Sequence, residues 1–209
     1  MRNNALTKEI QSNYTPQSVL EDLLDGNKRY VSNNVTNSDI SSLVQQTANG
    51  QFPKAVILSC IDSRVPVELV FDQTIGDIFV ARVAGNFENI DILGSMEYSC
   101  AVAGSKLILV LGHESCGAVK AACDGVELGN ITAMLSNITP AAKMASEQVD
   151  GVADSSNKEF VEKTVENNVK LTIERIREKS KILQEMEDNG EISIVGGVYS
   201  LATGKVNML

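Results

Sequence analysis

The sequence has 209 residues, of which 43% are hydrophobic and 22% are charged, and its formal net charge is −9. This length is sufficient for one domain with a sizeable core, and the acidic balance argues against a nucleic-acid-binding surface. No apolar run is long enough to span a bilayer, and the first residues lack the apolar core of a signal peptide, so the sequence predicts a cytoplasmic protein without membrane contacts.

The first segment of the chain, residues 1–13, is polar and is predicted to form an arm. A helix is predicted to begin at Thr15 and Pro16, because threonine is a favoured N-cap and proline is favoured at the first helical position. Apolar residues then recur at helical spacing, at Val19, Leu20, Leu23 and Leu24. Gly26 weakens this helix by up to about 1 kcal/mol, so the pattern allows a bend there.

The first strand is predicted around residues 56–58, where an uninterrupted apolar run is typical of a strand buried on both faces of a parallel sheet. Cys60, Asp62 and Arg64 follow at alternate positions, so an extended backbone would place a thiol, a carboxylate and a guanidinium on one side. Open α/β sheets hold their ligand sites at the carboxyl ends of strands. Taken alone, this stretch is equally compatible with a buried cysteine beside a surface ion pair.

Alternating helices and strands follow this segment. The predicted elements are a short helix, a strand, a turn, a helix and a strand, at residues 66–70, 77–83, 85–86, 91–103 and 107–111. Later elements are an interrupted helix, a long amphipathic helix, a buried strand and an edge strand, at residues 131–148, 157–188, 192–199 and 205–209. This alternation predicts an α/β fold with a mainly parallel central β-sheet flanked by helices, preceded by an N-terminal helical arm.

The strand at residues 107–111 leads directly to a second group of reactive side chains. His113, the only histidine of the chain, lies three residues before Cys116, so a predicted helix from residue 113 would bring both onto one side. Zinc favours sulfur and imidazole ligands, and three protein ligands leave a fourth position for water. Cys60, His113 and Cys116 therefore predict an open zinc site. A purely structural histidine is the alternative, but two strand ends that offer Cys and His-x-x-Cys favour ligands.

These residues resemble a known family, the β-class carbonic anhydrases. The resemblance is carried by Cys60-x-Asp62-Ser63-Arg64 and Gly112-His113-x-x-Cys116-Gly117, with weaker matches at residues 26–30 and 82–86. Ile61 departs from the family, which usually carries a smaller residue there. The resemblance implies a single domain over residues 1–209, Zn2+ as cofactor, and a homodimer or a dimer of dimers. It also implies that residues 1–50 pack on the partner subunit, although a helix packed on its own core is the alternative.

The predicted reaction is the reversible hydration of CO2 to bicarbonate and a proton by a zinc-bound hydroxide. Two thiolates already neutralise the charge of Zn2+, so other groups must favour and orient this hydroxide. Ionised Asp62 can only accept hydrogen bonds, and Arg64 can hold its carboxylate through two parallel bonds. Without that clamp, Asp62 could become the fourth zinc ligand. We therefore expect an on–off switch. The site is open when Asp62 is held by Arg64 and closed when Asp62 binds zinc, and the resemblance associates low pH with the closed state.

Resemblance to plant-type members implies further residues around CO2 and bicarbonate, some of them contributed by the second subunit. They comprise a polar residue, two aromatic residues, an apolar residue and a residue that offers a backbone N–H: Gln51, Phe79, Tyr98, Ala84 and Gly117. For the two aromatic residues, ordinary core packing is the alternative.

Two other functions are compatible with the motifs. A carbon disulfide or carbonyl sulfide hydrolase on the same scaffold would act on a related linear substrate. A non-catalytic zinc-binding protein would be expected to hold its metal with four fixed protein ligands. Such a protein needs neither Asp62 nor Arg64, so the presence of both favours an enzyme.

Overall fold

A computed structural model of the chain describes residues 4–209, so residues 1–3 of the predicted arm lie outside the described part. Its strands are β1 (Ala55–Ser59), β2 (Ile78–Arg82), β3 (Leu107–His113), β4 (Ser193–Tyr199) and β5 (Val206–Met208). They form one sheet in the order β2-β1-β3-β4-β5. The first four strands pair in parallel and β5 pairs antiparallel to β4, which confirms the predicted mainly parallel sheet.

Helices flank this sheet and connect its strands. The helices before β1 are α1 (Lys8–Ser12), α2 (Pro16–Val31) and α3 (Ile40–Thr47). Between β1 and β3 lie α4 (Val67–Val70) and α5 (Ile90–Glu97), the latter continued by a π-helical turn (Tyr98–Val102). The segment from β3 to β4 holds α6 (Gly117–Cys123), α7 (Gly129–Leu135), α8 (Thr139–Ser146), α9 (Lys158–Lys179) and α10 (Lys181–Asp188). No helix among residues 4–209 is both long and apolar enough to cross a membrane.

The central strands are buried on both faces because helices cover both sides of the sheet. Ile57 of β1 packs in the cluster that contains Leu23 of α2. The next residue, Leu58, points the other way and packs in the cluster that contains Val169 of α9. This two-sided burial is the physical reason that the β1 segment is apolar without alternation.

The structure departs from the predicted elements in the N-terminal arm and in the long helix before β4. Residues 8–12 of the predicted arm form a short helix, whose N-cap is Thr7. The long helix predicted over residues 157–188 is divided into α9 and α10 at Ser180. The Ser180 side chain caps α10 by accepting a hydrogen bond from the backbone N–H of Leu183. An amphipathic pattern continues across such a break, so periodicity alone does not reveal it.

Gly26 does not bend α2, which runs as one helix from Pro16 to Val31. The glycine instead lies against the backbone of Phe71, at the end of α4. A Cβ atom at residue 26 would lie only 1.9 Å from the carbonyl oxygen of Phe71. Gly26 therefore permits a close approach of two backbones, which the sequence pattern did not indicate.

Candidate active site

Two neighbouring strands bring the predicted ligands to one edge of the sheet. β1 and β3 are in register, with Ser59 opposite Leu111, so their carboxyl ends lie side by side. Cys60 directly follows β1, His113 is the last residue of β3, and Cys116 lies three residues further on. All three residues are buried, and their ligand atoms lie within 4.8 Å of one another. The chain thus forms a Cys-His-Cys cluster of the kind that can hold a metal ion.

The backbone between His113 and Cys116 is not the predicted helical turn. His113 still belongs to β3, and α6 begins only at Gly117. The residues between them form a turn in which Ser115 has a φ of +52°, a conformation that non-glycine residues rarely adopt. The two ligands therefore converge because a strand ends in a tight turn, and not because they share a helix face.

The histidine ring is oriented as a metal ligand should be. His113 Nδ1 lies 2.9 Å from the carbonyl oxygen of Glu114, which can only accept, so Nδ1 carries the proton. The lone pair then belongs to Nε2. That atom is buried and has no hydrogen-bond partner in the described part of the chain. A metal ion in the cluster would supply the missing partner.

The two cysteines provide further donors for a metal ion. Their Sγ atoms are 3.9 Å apart. The hydrogen bond from Cys116 lowers the pKa of Cys60 to about 4, and the backbone N–H of Gly85 also donates to Cys60 Sγ over 3.3 Å. The same contact with Cys60, together with burial, raises the pKa of Cys116. A divalent cation would replace the proton that the sulfurs share, so this donor set of two sulfurs and one imidazole fits zinc.

Asp62 and Arg64 make the bidentate contact that the sequence predicts. Arg64 Nε donates to Asp62 Oδ1 over 2.9 Å, and a terminal guanidinium nitrogen donates to Oδ2 over 2.7 Å. These side-chain hydrogen bonds hold the pKa of Asp62 far below its usual value, against the opposing effect of burial. Asp62 Oδ2 lies 3.8 Å from His113 Nε2. An ionised carboxylate therefore stands beside the ligand cluster, held there by an arginine.

Arg82, at the end of β2, is a residue of this site that sequence reasoning missed. Its guanidinium donates to the carbonyl oxygen of Cys60 over 2.8 Å and to that of Asp62 over 2.7 Å. Arg82 thus fixes the backbone of the loop that carries the first ligand and the clamped carboxylate. The available signal was its place in the motif at residues 82–86, which carried no assigned role.

Two of the predicted pocket residues lie next to the cluster. Ala84 precedes Gly85, whose backbone N–H reaches the sulfur of Cys60. Gly117 follows Cys116 at the start of α6, and a Cβ atom there would meet nothing within 4 Å. No other part of the described chain therefore fills the space immediately beside the Gly117 Cα.

The other predicted pocket residues are not brought to the cluster within one chain. Phe79 pairs with Val56, four residues before Cys60, which is about 13 Å along the strand. Phe79 and Tyr98 line a groove of about 750 Å³ along β2, with their ring centroids 6.2 Å apart. Tyr98 is 53% exposed, so simple core packing does not describe it. Gln51 is exposed in the segment before β1.

Comparison with known proteins agrees with this geometry. A family profile described as carbonic anhydrase matches residues 55–206. The chain is 35% identical over 201 residues to carbonic anhydrase 2 of Mycobacterium tuberculosis, with 92% of each chain covered. It is 32% identical over 204 residues to a carbonic anhydrase of Mycolicibacterium smegmatis, with 94% of each covered.

One solved structure is similar to this chain in fold as well as in sequence. It is the β-carbonic anhydrase of Coccomyxa in complex with acetazolamide, which is 28% identical and superposes with a TM-score of 0.73. The match covers 91% of this chain and 86% of that one. The sequence motifs, the parallel sheet and the Cys-His-Cys cluster at its carboxyl edge lead to one conclusion. The chain belongs to the β-class carbonic anhydrases.

Proposed function

We propose that this carbonic anhydrase hydrates CO2 reversibly to bicarbonate and a proton, with Zn2+ held by Cys60, His113 and Cys116. The observation that carries the proposal is the clamped carboxylate of Asp62 beside three buried ligand atoms that lie within 4.8 Å of one another. Catalytic zinc sites typically have three protein ligands and keep the fourth position for water. Zinc at this site would act as a Lewis acid that makes water a nucleophile at neutral pH.

Asp62 is the residue proposed to orient the nucleophile. Asp62 is ionised at neutral pH, and Arg64 lowers its pKa further, so its carboxylate has no proton to donate and can only accept a hydrogen bond from the attacking oxygen. That acceptance fixes the proton of the nucleophile and leaves a lone pair directed at CO2. Arg64 supplies no atom to the reaction in this scheme. It holds Asp62 in place through two hydrogen bonds.

A closed state is the second part of this proposal. Asp62 Oδ2 is 3.8 Å from His113 Nε2, so a carboxylate released by Arg64 would be close enough to the cluster to serve as a further metal ligand. There it would compete with hydroxide, which becomes scarcer as pH falls. Mild acid is therefore expected to favour the closed arrangement, because the pKa of Asp62 is low enough to keep the carboxylate ionised there.

A partner subunit is proposed to complete the substrate pocket and to cover the groove at β2. Ile90 and Tyr98 both line that groove and are 83% and 53% exposed, so large apolar side chains are exposed together there. Solved relatives from Sordaria macrospora with the same fold are described as tetrameric. We infer a homodimer or a dimer of dimers in which Phe79, Tyr98 and Gln51 serve the neighbouring site. None of the four cysteines forms a disulfide, which supports a reducing, cytoplasmic location.

Ile90→Asp is expected to dissociate the homodimer, because a carboxylate would be buried in an apolar interface. We expect a monomer in sedimentation velocity and a loss of CO2 hydration of about 10-fold or more. Val152→Asp is the matched control, since Val152 is also exposed, at 62%, but does not line the groove. A parent protein that sediments as a fully active monomer would exclude the interface.

The proposed reaction is tested by measuring CO2 hydration in samples of graded zinc content. We expect the rate to rise in proportion to bound zinc and to saturate at one ion per chain. Carbonyl sulfide and carbon disulfide, assayed in parallel, address the hydrolase alternative. Faster turnover of either substrate than of CO2 would reassign the enzyme, and stoichiometric zinc without turnover of any of the three would indicate a non-catalytic protein.

A further inference from the structure

We propose that Glu114 is a positioning residue, which holds the imidazole of His113 with Nε2 directed into the ligand cluster. The residue acts by tying the turn between β3 and α6 to the turn that follows β4. This inference rests on the proposed function only in taking His113 as a zinc ligand. Neither the resemblance nor the clamp of Asp62 and Arg64 assigns a role to residue 114.

Glu114 is fixed at three points, two of which are backbone groups. Its carbonyl oxygen accepts the hydrogen bond from His113 Nδ1 over 2.9 Å. Its own backbone N–H donates to the carbonyl oxygen of Tyr199 over 3.0 Å. Its carboxylate Oε2 accepts from the hydroxyl of Ser200 and from the backbone N–H of Leu201, each over 3.0 Å. The peptide that orients the histidine is therefore anchored through the glutamate side chain.

The turn needs such an anchor because its backbone is strained. Ser115 has a φ of +52°, in the left-handed region that disfavours residues with a Cβ atom. A residue persists there only when its surroundings fix it. Glu114 is the residue immediately before Ser115, so its three contacts are placed to hold the turn in this conformation. Without them, the turn could relax and rotate the carbonyl that faces His113.

The far end of the anchor is itself rigid. Ser200 and Leu201 begin the turn between β4 and β5, which the buried Asn27 of α2 holds in place. Asn27 Nδ2 donates to the carbonyl oxygen of Gly204 over 2.9 Å, and Asn27 Oδ1 accepts from the backbone N–H of Val206 over 3.0 Å. Through Glu114, the backbone that orients His113 is therefore hydrogen-bonded to the β4–β5 turn, which α2 in turn holds in place.

The orientation of the ring matters because a metal ligand must present a lone pair. While Nδ1 donates to the Glu114 carbonyl, the proton is kept off Nε2. If that acceptor moves, the other tautomer becomes accessible and the ring can turn. Loss of a partner that orients a ligating histidine typically lowers metal affinity 10- to 100-fold.

The test uses the fact that His113 is the only histidine of the chain. Selective ¹⁵N labelling of histidine therefore gives one pair of ring signals, which report the tautomer directly. We expect the metal-free parent to show the Nδ1–H tautomer and Glu114→Ala to show a mixture. Zinc affinity of Glu114→Ala, measured by chelator competition, is expected to fall about 10-fold or more. Glu114→Gln retains a carbonyl acceptor for Ser200 and Leu201 and is expected to restore both properties.

Glu187→Ala is the matched structural control. Glu187 makes the same kind of contact at the opposite end of β4, where its Oε1 accepts from the backbone N–H of Ile194 over 3.0 Å. We expect this variant to be less stable but to keep the parental ring signals and zinc affinity. Ser200→Ala removes one of the two donors to Glu114 and serves if Glu114→Ala does not fold. It is expected to shift the ring signals in the same direction, to a smaller extent.

Two results would overturn the inference. The first is that Glu114→Ala has the same ring signals and zinc affinity as the parent. If Glu114→Ala does not fold, the same result in Ser200→Ala would count equally. The other is an equal change in Glu187→Ala, which would reduce the effect to general destabilisation. A parent protein that binds no zinc would instead refute the proposed function. The ring signals of the metal-free protein would still decide whether Glu114 orients His113.

Discussion

Arg64→Ala is expected to lower kcat/KM for CO2 hydration about 100-fold or more while zinc content stays at the parental value. Loss of one preorganised hydrogen-bonding group in an active site typically reduces the rate 10²- to 10³-fold. Here the loss would be indirect, because Arg64 makes both of the side-chain hydrogen bonds that hold the Asp62 carboxylate. The measurements are stopped-flow hydration and metal analysis of the same sample.

Position, and not charge, is what this substitution removes from Asp62. Arg64 lowers the pKa of Asp62, and an unclamped aspartate titrates near 3.9, so Asp62 stays ionised at neutral pH with or without its partner. Raising the pH should therefore not restore the activity of Arg64→Ala. Because the pKa of Asp62 is depressed in the folded state, its ionised carboxylate stabilises the fold above about pH 4, and this contribution is lost in acid. The free energies of unfolding of the parent and of Arg64→Ala should therefore converge as pH falls.

Two variants sharpen the interpretation of this result. Arg64→Lys keeps the charge but cannot make two parallel hydrogen bonds, so we expect an intermediate rate. Lys28→Ala breaks an ion pair of the same 2.7 Å length with Asp25, on an exposed helix surface, and should leave activity unchanged. Full activity in Arg64→Ala, or loss of its zinc, would remove the clamp from the mechanism.

Gly26→Ala is expected to lower the free energy of unfolding by about 3 kcal/mol, toward the upper end of the range for overpacked cores. The added Cβ would lie 1.9 Å from the carbonyl oxygen of Phe71, a backbone atom that no side-chain rotation can move. The better helix propensity of alanine, about 1 kcal/mol, is too small to compensate. Thermal unfolding should show a decrease in Tm of about 6–12 °C.

Asp25→Ala controls for helix propensity, because it introduces alanine at the neighbouring, exposed position of the same helix. We expect this variant to remain within about 0.5 kcal/mol of the parent. If Gly26→Ala proved as stable as Asp25→Ala, α2 and α4 would not be packed as closely as described, and their contact would not require a glycine at residue 26.

The apolar strands and the order of the elements could be predicted because they depend on local sequence. The run at residues 55–58 is apolar because both faces of β1 are covered. The same pattern placed Cys60 directly after one such strand and His113 at the end of another. Parallel strands then place both at one edge, so the Cys-His-Cys cluster itself was predictable.

Element boundaries were less predictable where one side chain decides them. Ser180 ends α9 and caps α10 although the amphipathic pattern continues through it. The segment from His113 to Cys116 has the spacing of a helical turn, yet β3 extends through His113 because it pairs with β4 as far as Tyr199. Spacing alone did not distinguish the two, since either structure brings the ligands together.

The sequence by itself determined which candidate donors stand at the ends of two buried strands, and that an arginine lies two residues from the carboxylate it holds. Those features are local, so hydrophobic pattern and residue spacing are sufficient to specify them. Only the tertiary structure decided that Gly26 faces the backbone of Phe71, and that Glu114 is anchored by Ser200, 86 residues away. Such contacts depend on how distant elements pack, and no periodicity in the chain records the partner that a side chain meets after folding.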